Sequence, residues 1–129
     1  MSLITTHVLD TVLGKPAAGI SVRLERQEGG EWIKKVLSSR PAQRVQDAPG
    51  RWAEICDGVT DADGRCGDLA PDAEPGTYRL TFQTGDYLRR HGRATVYPEI
   101  SITFRCSGEP HYHLPLLLSD NSYTTYRGS

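Results

Sequence analysis

His111-Tyr-His-Leu-Pro-Leu-Leu-Leu-Ser-Asp-Asn-Ser-Tyr-Thr-Thr-Tyr-Arg-Gly-Ser129 combines two histidines, an apolar run and a polar tail. Successive side chains of a strand point to opposite faces, so His111 and His113 would share one face, together with Pro115 and Leu117. The intervening positions are apolar and would form a core face: Tyr112, Leu114, Leu116 and Leu118. The pattern predicts a strand that presents two imidazoles on the side opposite a packed core.

Three other segments, 20–26, 77–82 and 99–104, also alternate between apolar and polar residues. This period predicts half-buried strands of antiparallel sheets. In the first segment the inward residues would be Ile20, Val22 and Leu24, and the outward residues Ser21, Arg23 and Glu25. Further strands are predicted at 4–10, 32–37 and 52–59. In the strand at 4–10, Thr5 and His7 would share one face and Ile4, Thr6, Val8 and Asp10 the other.

Glycine, proline and aspartate mark the connections between these strands. Turns are predicted at 14–19, 28–31, 60–65 and 107–110, and a loop at 69–76. One short helix is predicted at 84–90, with Thr84 as its N-cap and Gly92 as its stop. Seven or eight short strands with regular turns predict an all-β fold, a two-sheet antiparallel β-sandwich with one short helix.

The segment 38–51 differs from the rest of the chain. It contains one large aliphatic residue, two prolines and three arginines, and it has neither a helical nor a strand period. Structureless loops longer than about 12–15 residues are uncommon inside compact domains. The segment is therefore interpreted as a functional loop or an insertion.

The composition indicates one domain at 1–129 that is large enough to bury a core. Lys and Arg number 15 against 16 Asp and Glu, which argues against a nucleic-acid partner. No apolar run approaches the ~20 residues of a membrane span, and no signal peptide is evident. The three cysteines are an odd number without metal-type spacing, which favours thiols in a reducing cytoplasm.

The histidines are the main candidates for chemistry. His7, His111 and His113 lie on predicted strands and would serve acid–base catalysis if the fold brought them together, because imidazole titrates near neutral pH. Spacing alone favours the alternative that these are three unrelated surface histidines. His-X-His is also a zinc-ligand spacing, with His7 as a candidate third ligand, but no acidic residue on that face completes such a site. Arg65 is either a surface arginine beside a turn or an anchor for an anionic substrate.

Nucleophilic serine chemistry is not indicated, because no serine lies in a Gly-X-Ser-X-Gly setting. A hydrolase that uses histidine as the base for water attack needs no such elbow.

Several separated stretches resemble the 5-hydroxyisourate hydrolases, the transthyretin-related enzymes of urate breakdown. These are His-Val-Leu-Asp-Thr at 7–11 with Gly-Lys-Pro-Ala-Ala-Gly at 14–19, Thr-Asp-Ala-Asp-Gly-Arg at 60–65, and the stretch 111–129. Thr-Gly-Asp-Tyr at 84–87 and Tyr-Pro-Glu-Ile at 97–100 also fit. The terminal Tyr-Arg-Gly-Ser is the most specific of these motifs, because transthyretin, the hormone carrier, lacks it. Two stretches depart from the family pattern: 38–51, interpreted as an insertion, and Asp-Asn-Ser at 120–122.

The resemblance implies a transthyretin-like sandwich, assembled as a homotetramer with active sites in the channel between dimers. It implies hydrolysis of 5-hydroxyisourate to 2-oxo-4-hydroxy-4-carboxy-5-ureidoimidazoline, without a metal or an organic cofactor. The catalytic residues would be His7, Arg65, His113 and Ser129. The substrate-binding residues would be His111, Tyr126, Arg127 and Gly128. Ser129 would fold back toward His113.

Two other functions remain open at this stage. One is a transthyretin-type protein that binds a small aromatic ligand in the same channel without turnover. The other is an interaction module in which the arginine-rich segment 38–51 contacts the partner.

Overall fold

The computed structural model describes residues 1–28 and 51–128. In chain order these residues form β1 (Ser2–Asp10), β2 (Lys15–Pro16), β3 (Ser21–Glu28), β4 (Arg51–Val59), β5 (Arg65–Ala73), β6 (Gly76–Phe82), α1 (Thr84–Arg90), β7 (Ile100–Cys106), β8 (His111–Leu118) and β9 (Tyr123–Thr125). The strand predicted at 32–37, nearly all of the segment 38–51 and Ser129 lie outside the described residues. Arg51 is the first residue of β4.

The strands form two sheets, which confirms the all-β sandwich. One sheet has the order β2-β1-β8-β9, and β5 also pairs with β1. The other has the order β4-β3-β6-β7. β1 and β8 run parallel, so the prediction of purely antiparallel sheets is wrong at this pair. The paired residues lie more than a hundred positions apart, as with Thr5 and His113 at a separation of 108, and a long connection of this kind permits parallel pairing.

The core lies between the sheets and consists of the alternate apolar residues of the strands. Along β1 every second residue from Ser2 to Asp10 is buried, so that His7 is on the other face. In β8 the predicted core face is confirmed, and Pro115 on the opposite side is buried as well. The largest fully buried side chains are Tyr87, Phe82, Ile4, Ile20, Leu24, Leu80, Leu88, Leu116 and Leu118. Burial of this size stabilises the fold by about 1.5–3 kcal/mol for each large apolar side chain.

The loop predicted at 69–76 is wrong for most of its length, because β5 continues to Ala73. Prolines and Gly76 suggested a loop, but β5 pairs with β1, with Ile4 opposite Ala70 and Ser2 opposite Ala73. Two register shifts interrupt this pairing, and Pro71 lies within the strand. Proline is tolerated in edge strands and at bulges, where its missing N–H breaks no ladder hydrogen bond.

Two local predictions need correction. The helix is confirmed at 84–90, and Gly92 follows it with φ +69°, but Gln83 occupies the N-cap position and Thr84 is buried inside the helix. Glu25 was predicted to face solvent and is only 8% exposed. Arg79 on the neighbouring strand binds its carboxylate at 2.9 Å and stacks over the Trp52 ring, so that the outward carboxylate is covered.

A polar cluster anchors the carboxyl end of β1. The Asp10 carboxylate is fully buried and accepts hydrogen bonds from the Tyr87 hydroxyl at 2.8 Å and from the Arg93 guanidinium at 2.5 Å. Arg93 also binds Asp120, in the loop after β8, at 2.6 Å. Burial would raise the pKa of Asp10, but the hydrogen bonds from Arg93, Leu13 and Tyr87 outweigh it and lower that pKa to about 2. The cluster therefore fixes α1 and the loop after β8 to the strand that carries His7.

Candidate active site

Three adjacent strands bring the predicted catalytic side chains together. β1 carries His7, β5 carries Arg65, and β8 carries His113. His7 is directly opposite Arg65 in the β1–β5 pairing, while His113 is opposite Thr5 in the β1–β8 pairing. Residues opposite one another in paired strands point to the same face, and their Cβ atoms lie about 4.5–5.5 Å apart. Two imidazoles and one guanidinium therefore share one face of the sheet.

The three histidine rings form a row on this face. The ring centroids of His7 and His113 are 6.5 Å apart, and those of His111 and His113 are 6.0 Å apart. His111 is exposed, whereas His7 and His113 are half-buried. The distance between His7 and His113 would place a small planar molecule, or a water and a carbonyl group, within reach of both rings.

The surroundings of His113 favour its neutral form. Burial lowers the pKa of this imidazole, and His111, His7 and Arg65 lower it further because positive charge nearby disfavours a second cation. A neutral imidazole has one nitrogen with a lone pair and can act as a base. His113 is therefore well placed to take up a proton at neutral pH.

Thr5 is a site residue that the sequence analysis missed. Its hydroxyl lies 2.8 Å from Nδ1 of His113 and 2.8 Å from Nε2 of His111. The sequence showed that Thr5 shares a strand face with His7, but only the parallel register of β1 and β8 places it opposite His113. No short-range pattern carries that register.

The described part of the tail, up to Gly128, returns to His113. β9 pairs with β8, and Gly128 then forms a bridge with His113 in which its N–H donates to the His113 carbonyl at 2.7 Å. A Cβ atom at Gly128 would be 2.7 Å from Cδ2 of the His113 ring, so a side chain there would force the ring or the tail to shift. A glycine at this position therefore lets the backbone lie directly against the imidazole.

The other tail residues have different surroundings. The Arg127 guanidinium lies 4.6 Å from the centre of the Tyr112 ring, and the core side of β8 carries that tyrosine. Tyr126 is 52% exposed. Their predicted role as substrate-binding residues, like that of His111 and Gly128, stays a prediction, and Ser129 lies outside the described residues.

Metal binding was the alternative for the His-X-His pair. Within 1–28 and 51–128, no group of three histidine, cysteine, aspartate or glutamate side chains is arranged to hold a metal ion. The donors around His113 are two imidazoles, a hydroxyl and a guanidinium, a set suited to proton transfer and to stabilising negative charge.

Comparison with known proteins agrees with this fold. Residues 4–128 match the HIUase/Transthyretin family. A 5-hydroxyisourate hydrolase of Mus musculus is 42% identical over 99% of this chain and 96% of its own length. The structure of Klebsiella pneumoniae 5-hydroxyisourate hydrolase has a TM-score of 0.77 and 34% identity, with full coverage of both chains. Transthyretin from Sparus aurata has a TM-score of 0.78 and 28% identity, with 99% and 97% coverage. The chain described here belongs to the HIUase/transthyretin family.

Proposed function

We propose that this protein is a hydrolase that opens the six-membered ring of 5-hydroxyisourate at its cyclic amide, giving 2-oxo-4-hydroxy-4-carboxy-5-ureidoimidazoline in urate degradation. The observation that carries the proposal is the convergence of His7, Arg65 and His113 on one sheet face. Relatives with the name 5-hydroxyisourate hydrolase, which align over nearly the whole chain, support the same conclusion.

In this reaction His113 acts as the general base. Its pKa is lowered, so the imidazole is neutral at pH 7 and accepts a proton from water as the water oxygen attacks the carbonyl carbon. Arg65 stabilises the negative charge that develops on the carbonyl oxygen. His7, whose ring centroid is 6.5 Å from that of His113, holds the substrate or donates a proton to the leaving nitrogen. The proton transfer and the charge stabilisation are assigned to His113, His7 and Arg65, and we propose no metal or organic cofactor.

The remaining tail residues complete the substrate site in this proposal. Ser129 joins the catalytic set, and the substrate-binding residues are His111, Tyr126, Arg127 and Gly128. The backbone contact of Gly128 with His113 supports this arrangement, because it brings the tail against the strand that carries the catalytic imidazole.

The sheet face that carries His7, His111 and His113 is here called the histidine face. It lies on the side of its sheet away from the core, and His111 on it is exposed in the single chain. We propose a homotetramer in which this face forms the wall of a channel between two dimers. The proposal also takes 1–129 as one transthyretin-like domain with an insertion at about 38–51. It places the enzyme in the cytoplasm, without a membrane or nucleic-acid partner. In the described part of the chain, α1 is a seven-residue helix, and no helix there is long and apolar enough to cross a membrane.

The test is the decay of freshly prepared 5-hydroxyisourate, followed by ultraviolet absorbance with and without the protein. We expect decay that accelerates in proportion to protein concentration and that is lost in His113→Ala. Unchanged decay, together with saturable binding of a small aromatic ligand, would replace the proposal with the transthyretin-type function.

A further inference from the structure

We propose that Thr5 is a positioning residue that connects His113 to His111 by a hydrogen-bonded relay and carries the proton released by hydrolysis out to solvent. The inference rests on the hydrolase activity proposed above and extends it to a residue outside the catalytic set. It is carried by one geometric fact: a single hydroxyl lies 2.8 Å from a ring nitrogen of each histidine.

Amide hydrolysis produces a proton that must leave the site. Water and a cyclic amide give a carboxylic acid and an amino group that belongs to a ureido unit. At neutral pH the acid ionises, while the ureido nitrogen is not basic and takes up no additional proton. Each turnover therefore yields one carboxylate and one proton, and a base that has accepted this proton must lose it before the next cycle.

The hydrogen bonds determine the direction of the relay. A hydroxyl has one proton to donate and lone pairs to accept. We assign Nδ1–H of His113 as the donor to the Thr5 oxygen, and the Thr5 hydroxyl as the donor to Nε2 of His111. His113 then has its lone pair on Nε2, and among the described residues nothing hydrogen-bonds to that nitrogen. This is the tautomer that a general base needs.

The relay transfers one proton without a net change in Thr5. When Nε2 of His113 has accepted the proton of water, the ring is a cation with protons on both nitrogens. Nδ1 passes its proton to the Thr5 oxygen, and the Thr5 hydroxyl passes its original proton to Nε2 of His111. His113 becomes neutral again, with its proton on Nε2, and His111 becomes the cation. Because His111 is exposed, it releases its Nδ1 proton to solvent. After the product has left, His113 gives its Nε2 proton to water in the open site while His111 takes up a proton at Nδ1 from solvent. The relay then runs backwards and restores the starting tautomers without a further net transfer.

The charges around His113 favour this direction of transfer. His7 faces it from β1, Arg65 from β5 and His111 from β8, and all three disfavour a second positive charge on the half-buried ring. The tail also carries a cation, Arg127, whose guanidinium lies over the ring of Tyr112. A proton on the exposed His111 is better solvated than one on His113, so it moves outward.

The test compares Thr5→Val, which keeps the shape but removes the hydroxyl, with Thr5→Ser, which keeps the hydroxyl. The matched control is Thr6→Val on the same strand, because the Thr6 hydroxyl lies on the core side and donates to the Leu114 carbonyl. We expect Thr5→Val to lose about tenfold in kcat with less than a twofold change in KM, as loss of one orienting hydrogen bond predicts. Thr5→Ser should stay within threefold of wild type, and Thr6→Val within twofold.

Buffer dependence distinguishes a relay from a merely structural role. If the proton can no longer leave through Thr5, a diffusible base should replace that path, so kcat of Thr5→Val should rise with imidazole concentration while wild-type kcat stays constant. A slow Thr5→Val enzyme that does not respond to imidazole, or one as fast as wild type, would overturn the relay.

A second measurement needs neither a variant nor activity. ¹⁵N spectra of histidine-labelled wild-type protein at pH 8 report which nitrogen of each ring carries the proton. We expect Nδ1–H for both His113 and His111, and Nε2–H on either ring would refute the proposed order. A protein with these tautomers but no effect on 5-hydroxyisourate would refute the proposed function and leave the hydrogen-bond order intact.

Discussion

Substituting Gly128 by alanine tests how closely the tail controls the catalytic imidazole. The new Cβ would lie 2.7 Å from Cδ2 of His113, whereas ordinary van der Waals contact begins at 3.4 Å. Either the imidazole or the tail must therefore move by about 0.7 Å. Movement of the ring would break its 2.8 Å contact with Thr5, and movement of the tail would break the 2.7 Å bond between Gly128 N–H and the His113 carbonyl.

The expected effect is large on catalysis and small on folding. A misplacement of about 1 Å in a catalytic group costs on the order of 100-fold in rate, so a shift of 0.7 Å should lower kcat/KM by about 10- to 100-fold. The tail contributes little to the core, because Gly128 follows the three-residue edge strand β9. We therefore expect the midpoint of thermal unfolding to change by less than about 3 °C, the shift that a fraction of 1 kcal/mol produces in a domain of this size.

The assay is the initial rate of 5-hydroxyisourate decay over a range of substrate concentrations, together with the Cδ2–H resonance of His113. Gly67→Ala is the matched control, since a Cβ at that position in β5 would meet no atom within 4 Å. Wild-type kcat/KM and an unshifted His113 resonance in Gly128→Ala would refute the close contact. An equal loss of activity in Gly67→Ala would show that the effect is not specific to the tail.

Three further predictions follow from the same structure. His113→Ala and His7→Ala should each lose at least about 100-fold in kcat, the usual range for a positioned acid or base, and full activity in both would exclude the mechanism. Because the pKa of His113 is lowered and the base must be neutral, the decline of kcat/KM towards acid pH should have its midpoint below 6.5, the ordinary histidine value. A midpoint above pH 7 would contradict the assignment. Arg93→Ala leaves the buried Asp10 carboxylate without its cation and should lower the free energy of unfolding by about 3–5 kcal/mol. The measurement is urea denaturation at fixed protein concentration, and a loss below about 1 kcal/mol would show that the pair contributes little.

Local patterns in the sequence predicted most of the sandwich. Alternation of polar and apolar residues placed β3, β6, β7 and β8 and their core faces correctly, because the facing of side chains in a strand depends only on neighbouring positions. The turn at 60–65 was predictable for a similar reason: the Asp61 carbonyl accepts from the Gly64 N–H, and Gly64 has φ +74°, which glycine adopts without strain.

The errors arose where a distant strand overrides a local signal. Pro71 lies in a stretch whose turn residues predicted a loop, yet β1 supplies a pairing partner and extends β5 through it. Glu25 alternates as an outward residue, but Arg79 and Trp52 on the neighbouring strands cover it. The contact of Thr5 with His113 depends on pairing between positions 108 residues apart, and no window of local sequence contains both.

The candidate site shows the same division. The sequence alone identified the histidines but left open whether they meet, and the family resemblance supplied the pairing of His7 with His113. The structure adds the reason that they meet: β1 is paired on both sides, to β5 through His7 and Arg65 and to β8 through Thr5 and His113. A shift of β1 by one residue would turn Thr5 and His7 into the core and bring Ile4 and Val8 to the surface.

The register of β1 is therefore the property on which the chemistry depends, and the fold holds it at both ends. Near its start, the Ser2 hydroxyl donates to the Glu109 carbonyl and the Leu3 N–H donates to the Pro110 carbonyl, just before β8. At its end, Asp10 is buried and bound by Arg93. Between these anchors Ile4 and Val8 are completely buried, so slippage would expose two core side chains and bury a histidine. The strand that carries the reacting groups is in this way one of the most strongly constrained parts of the described chain, and a rigid strand keeps the groups of the site in fixed positions.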